Sequence, residues 1–247
     1  MKITAILSFA LCLALLATGC SKTAEISESI SDDLPEESEI TEEVSDDVRV
    51  TVEELTRITQ TDKNGQYISV YPKLIVDGQE ASEINESIKD YLVETYPMEP
   101  DPMGKYITGY QVRYAWGVKD NIVSIVAIAS FLEEDGSVYE VFNYDIDTLE
   151  ALDDDEVVSA LGMTDQDFFD KTEEVYRNYW NTEPWLGSEY NSMLEQSIDA
   201  IGYDKITPII LSNGDIGVLG YLYTPTQIVE MERCFDLDTM EVANFRR

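Results

Sequence analysis

"NIVSIVAIASF", residues 121 to 131, has apolar side chains at both odd and even positions. An extended chain points successive side chains to opposite faces, so a segment with this pattern is buried on both sides. Its eleven residues are too few to cross a membrane as a helix, since a hydrocarbon core about 30 Å thick takes about 20 apolar residues. It therefore reads as a central strand with material stacked on both faces. Upstream, "YITGYQVRYAW" (106–116) puts Tyr106, Tyr110, Val112, Tyr114 and Trp116 on one face. Downstream, "SVYEVFNYDI" (137–146) follows the turn Glu134-Asp135-Gly136. Short polar turns between three strand-like runs predict an antiparallel meander.

Toward the N-terminus, "RVTVEELTRITQ" (49–60) and "QYISVYPKLIV" (66–76) are β-rich and joined at Asp62-Lys63-Asn64-Gly65. Asn-Gly supplies the positive φ of a tight hairpin. Ala81, Ile84, Ile88, Tyr91 and Leu92 recur at helical spacing, and Pro97 with "PMEPDPMG" ends that helix in a loop. Toward the C-terminus, "DDDEVVSALG" carries acids at its start and Gly162 at its end. "TDQDFFDKTEEVYRNYW" has Thr164 as N-cap and Phe169, Tyr176, Tyr179 and Trp180 near one face. "SEYNSMLEQSIDAIG" is a further helix. Three strands close the chain: "ITPIIL", "IGVLGYLYT" after the turn Ser212-Asn213-Gly214-Asp215, and "QIVEMERCFDLD". The expected fold is α+β, an antiparallel sheet of hairpins and a meander packed with about four helices. Residues 50–247 make either one large domain or two lobes, about 50–150 and 151–247.

The first 49 residues are of another kind. Met1-Lys2 precedes an uncharged run, Ile3 to Ala17, which ends in Leu16-Ala17-Thr18-Gly19-Cys20. A charged start, a short apolar stretch and small residues before a cut site describe a signal peptide, here residues 1–19. The small residues before Cys resemble a bacterial lipobox, which implies lipidation at Cys20, and two or three acyl chains anchor firmly. Residues 20–49 are rich in Ser, Glu and Asp, too polar to bury a core, and predict a disordered acidic tether. With Cys12 removed and Cys20 lipidated, Cys234 stands alone, a small side chain suited to burial on a strand.

The formal charge is −34, and removing the signal takes away Lys2 and no acid, leaving −35. Such a surface repels nucleic acids and anionic lipid head groups and attracts cations and basic proteins. The chain has no His, which excludes a Ser-His-Asp triad, a Cys-His pair and a His-ligated zinc site. No Gly-rich phosphate loop is present, and nothing calls for a cofactor or a metal. The one enzymatic alternative is a hydrolase using paired carboxylates.

Two patterns bear on function. "YDIDTLEA" (144–151) echoes "FDLDTMEV" (235–242). Asp145 and Asp147 share a strand face and admit a carboxylate-pair or calcium reading, but the recurrence at two strand ends favours turn-making by Asp and Thr. The cluster "YRNYWNTEPWLGSEY" holds Tyr176, Tyr179, Trp180, Trp185 and Tyr190. The first three read as helix core; Trp185, in a loop, and Tyr190 are the candidate ligand-binding aromatics.

From about residue 50 to 242 the chain resembles the extracytoplasmic region shared by the anti-sigma-V factor RsiV and the amino-terminal part of the peptidoglycan deacetylase PdaC. The resemblance is carried by "YISVYPKL", "INESIKDYL", "FNYDIDTLE" with its helix pair, and "GVLGYLYTP". That family usually has Thr-Gly where this chain has Thr148-Leu149. The resemblance implies an α+β fold at a Gram-positive envelope and a binding role: lysozyme recognition in one relative, wall (peptidoglycan) association in another. It does not imply deacetylation, which belongs to a separate domain with His ligands, nor sigma-factor binding, which needs a cytoplasmic segment.

Overall fold

The computed structural model describes residues 49–133, 136–183, 186–224 and 227–243, and these belong to one compact unit. The signal peptide, Cys20, residues 21–48 of the tether, Glu134-Asp135 and Trp185 lie outside the described residues. Among the described residues, four α-helices and three antiparallel sheets make the fold α+β.

The first sheet is the expected hairpin, β1 (Val50–Asp62) with β2 (Gly65–Val76), plus the two-residue β3 (Gln79–Glu80). Neither Lys63 nor Asn64 at its tip takes positive φ. Asp62 holds the turn instead: its Oδ1 accepts the N–H groups of Asn64 (2.7 Å) and Gly65 (3.2 Å). Its Oδ2 accepts the N–H of Ile107 (2.8 Å), tying the hairpin tip to the next sheet. Helix α1 (Ser82–Thr95) buries Ile88 and Leu92 as its period predicts, but Tyr91 sits at the rim, 42% exposed.

The second sheet runs β4-β5-β6-β7, with β4 Met98–Pro100, β5 Ile107–Lys119, β6 Ile122–Phe131 and β7 Ser137–Asp145. The meander is as expected. The "PMEP" loop in fact contributes the short edge strand β4, paired to residues 107–109 of β5. Tyr110, Val112, Tyr114 and Trp116 share a face, in one core cluster with residues of β1, β2 and α1. Tyr106 does not join them: Gly109 at φ 94° interrupts the alternation, and the Tyr106 ring instead lies under Lys63 Nζ at 4.4 Å.

The third sheet has order β10-β9-β8, with β8 Ile206–Ile210, β9 Ile216–Thr224 and β10 Gln227–Asp236. β6 lies between two layers, as its composition requires. Val123, Ile125, Ala127 and Ala129 meet the hairpin and α1, while Val126 and Ile128 meet Ile209, Leu219 and Cys234 of the third sheet. Residues from both sides of position 150 therefore share one part of the core. Cys234 is buried, and burial pushes its thiol pKa up.

The other face of the third sheet carries α2 (Asp154–Ala160), α3 (Asp165–Thr182) and α4 (Asn191–Asp199). Thr164 caps α3 in a capping box with Asp167. The apolar stripe of α3 runs through Phe168, Val175, Tyr176, Tyr179 and Trp180; Phe169, the expected member, is only partly buried.

Three sheets that stack without merging leave strand edges with unpaired main-chain groups. Buried polar side chains close them. Ser69 Oγ accepts the N–H of Val112 (3.0 Å) on the open side of β5. Ser124 Oγ accepts the N–H of Ile210 (2.8 Å), and Asn143 Nδ2 donates to the Pro208 carbonyl (3.1 Å), so β6 and β7 jointly hold β8. Ser197 Oγ accepts the N–H of Tyr223 (2.9 Å), joining α4 to β9.

The acid that opens α2 works against the fold. Asp154 opens α2, where the helix dipole favours a negative charge. Burial, reinforced by Asp153 and Asp155, nonetheless pushes its pKa up to about 6. A carboxyl with a raised folded-state pKa contributes stability that is complete below its unfolded pKa, near about 4, and is lost as pH rises through about 6. Asp154→Asn should therefore raise the melting temperature at about pH 7.5 and leave it unchanged at about pH 4. Melting curves at the two pH values check this; an equal gain at both would refute it.

Candidate functional site

The echo motif forms the same turn twice. In the first copy Asp145 Oδ1 accepts the N–H groups of Asp147 (2.8 Å) and Thr148 (2.8 Å), and Leu149 adopts φ 59°. In the second, Asp236 Oδ1 accepts those of Asp238 (2.8 Å) and Thr239 (3.0 Å), and Met240 adopts φ 59°. Each turn closes through an isolated bridge, Tyr144 to Ala151 and Phe235 to Val242. Leu149 stands where glycine would be the unstrained choice, and Met240 repeats the substitution. The second acid of each copy faces a cation: Asp147 bonds Arg49 Nη1 at 2.8 Å, and Asp238 pairs with Lys171 Nζ at 3.5 Å. The aspartates are thus turn-makers and ion-pair partners. Among the described residues no group of three or more acids or cysteines is placed to hold a metal ion.

The candidate binding surface lies elsewhere, where the C-terminal end of α1 crosses the meander. Glu140 on β7 accepts the Tyr96 hydroxyl at 2.5 Å and also faces the Tyr91 hydroxyl. Tyr91 meets Phe142 edge-on, with ring centroids 5.9 Å apart. Tyr96 meets Tyr110 at 5.1 Å, and Tyr110 meets Phe131 at 4.8 Å. Phe142, Tyr91, Glu140, Tyr96, Tyr110 and Phe131 therefore form one continuous strip. It reaches solvent at Tyr91, 42% exposed, and at Phe131, 38% exposed. Burial, and then the bond to Glu140, raise the Tyr96 pKa, so its hydroxyl stays protonated and donating. Ala127 and Ala129, small residues between the larger ones of β5 and β7, belong to the same core cluster as Tyr96 and Tyr110.

Of the aromatics expected to bind ligand, Tyr190 ends a single 3-10 turn (Ser188–Tyr190) before α4, half-buried on the C-terminal core. Trp185 lies outside the described residues. Tyr176, Tyr179 and Trp180 are core, as expected. Sequence reading passed over the strip because its members come from four elements, at positions 91 to 142. Register could have found part of it, since Tyr110 pairs with Phe131 across β5 and β6.

No family model matches the chain and no curated protein matches it, so the likeness to the RsiV-like ectodomain rests on the quoted stretches alone.

Proposed function

We propose that this chain is a non-enzymatic, lipid-anchored protein on the outer face of a bacterial, Gram-positive cell membrane. Its domain binds a basic protein of the lysozyme kind or cell-wall glycan, without a cofactor and without nucleic acid. The observation behind this reading is the aromatic strip built around Glu140. Aromatic faces beside a carboxylate suit a Lys or Arg side chain, through cation–π contact and a charge-assisted hydrogen bond. A chain at −34 adds long-range attraction, which speeds encounter but is screened beyond about 8 Å at physiological salt. Of the two ligands, the strip favours the basic protein.

The test is to titrate lysozyme and an unrelated protein of similar positive charge against the purified chain at about 0.15 M salt. Selective binding of lysozyme is expected, weakened about tenfold or more by Tyr91→Ala and by Glu140→Gln. Equal weak binding of both proteins that vanishes as salt rises would leave only generic acidity. Loss on Trp185→Ala with none on Tyr91→Ala would move the site to the other aromatic cluster. Anchoring is tested separately: Cys20→Ser should shift the protein out of the membrane fraction, and detergent-dependent retention of that variant would overturn the lipobox.

A further inference from the structure

The twin turns differ in one respect. In the first copy the second carboxylate oxygen, Asp145 Oδ2, accepts the side-chain amide of Asn121 at 2.5 Å. Asn121 holds its place because its carbonyl accepts the N–H of Ile146 (2.7 Å). In the second copy the equivalent bond runs from Leu237 N–H to the Ile216 carbonyl (2.9 Å), so Ile216 stands where Asn121 stood and offers no side-chain donor. Asn213 lines the same cavity, but its Nδ2 is spent on Asp215 at 2.5 Å. Asp236 is 7% exposed, and among the described residues its Oδ2 accepts no hydrogen bond. In front of it lies a cavity of about 320 Å³, walled by Leu211, Val242 and Ala243 and edged by Ser212, Thr239 and Glu241.

A carboxylate largely removed from water with one oxygen unpartnered calls for a donor, and a charged donor most of all. The volume is at the lower end of small-molecule sites. We propose that the cavity between the β8–β9 turn and the second aspartate turn binds a small aliphatic ammonium ion, its amine on Asp236 Oδ2 and its chain along Leu211 and Val242. Glu241, exposed at the mouth, gives a diamine the advantage over a monoamine. This site is separate from the aromatic strip and does not depend on the function proposed for it.

Asp236→Asn is the decisive variant. The asparagine carbonyl still accepts the Asp238 and Thr239 N–H groups, so the turn is kept, while the cavity now meets an NH2 donor instead of an acceptor. Isotope-labelled protein is titrated by NMR with cadaverine, pentylamine and the neutral pentanediol at about 0.15 M salt. Saturable shifts confined to the amides of residues 212–214 and 236–243 are expected with cadaverine, smaller ones with pentylamine and none with pentanediol. Asp236→Asn should weaken cadaverine about tenfold or more, since a charge-assisted bond is lost. Asp145→Asn, the same change in the closed copy, should leave binding as it was. Unchanged affinity in Asp236→Asn, or shifts spread over the whole acidic surface, would overturn the site. If Asp236→Asn does not fold, Glu241→Gln decides: it lies outside the turn's side-chain bonds and should reduce cadaverine toward pentylamine. An unaltered ratio would refute the proposal.

Discussion

Gly117→Ala should cost the domain about 3 kcal/mol or more, enough to lower its melting temperature by roughly 6–12 °C. Gly117 lies on β5, where the central and third sheets make a very close main-chain approach. A Cβ there would stand 2.1 Å from the Leu211 carbonyl oxygen and 2.5 Å from that of Ile210. These are backbone atoms, not the tip of a flexible side chain, and they are held from both sides. Ile210 N–H is bonded to Ser124 Oγ at 2.8 Å, and Leu211 N–H to the Asp215 carbonyl at 2.9 Å. Relief requires the sheets to part, which would open the core around Val126 and Ile209. The backbone conformation at Gly117 is ordinary, so the effect is one of space, not of φ. Gly202→Ala is the matched control: its Cβ would meet only the exposed Asp204 carboxylate at 3.1 Å, and a change within about 0.5 kcal/mol is expected. Urea unfolding of the two variants decides the matter, and similar losses in both would refute the close-approach argument.

Asn85→Ala should destabilise by about 1–3 kcal/mol, the buried Leu74 N–H losing its partner, while the Leu74 carbonyl keeps the Ala81 N–H at 3.1 Å. Asn85 is buried in α1, and its amide is used twice on one residue of β2. Its Oδ1 accepts the Leu74 N–H at 2.7 Å and its Nδ2 donates to the Leu74 carbonyl at 3.1 Å. It imitates a neighbouring strand at the point where β3 is too short to serve. Asn85→Asp separates this from a packing effect. An aspartate can still accept from Leu74 but, when ionised, cannot donate, and it places a charge in the core. That variant should be worse than alanine at neutral pH and recover part of its loss in acid, where the protonated carboxyl donates again. Equal stability of Asp and Ala variants at neutral pH would show that the double bond to Leu74 matters less than the space Asn85 fills.

Local pattern was enough for most of the elements. The hairpin, the meander, the helix starts at Asp153 and Thr164, and the burial of β6 on both faces follow from spacing and composition. These depend on contacts within a few residues, where side-chain period and capping chemistry act directly. The repeated Asp-x-Asp-Thr stretch was likewise legible as a turn, because an aspartate bonding the two N–H groups after it is a local event. Phe168 against Phe169 was not decided this way: both fit a helical stripe, and only the position of the third sheet selects which faces it.

What the sequence by itself determined, then, is which segments are strands, helices and turns, that the chain is acidic and lacks His, and that its first residues resemble a lipoprotein leader. Tertiary structure alone decided how three sheets stack without merging. It placed Ser69, Asn85, Ser124 and Asn143 at the edges that stacking leaves open, gathered Tyr91, Tyr96, Tyr110 and Glu140 into one strip, and left Asp236 facing a cavity while Asp145 was closed by Asn121. The physical reason is range. Periodicity and capping act within a turn or a strand pair, whereas edge closure, ring contacts and an unpartnered carboxylate join residues tens of positions apart, and no local signal records them.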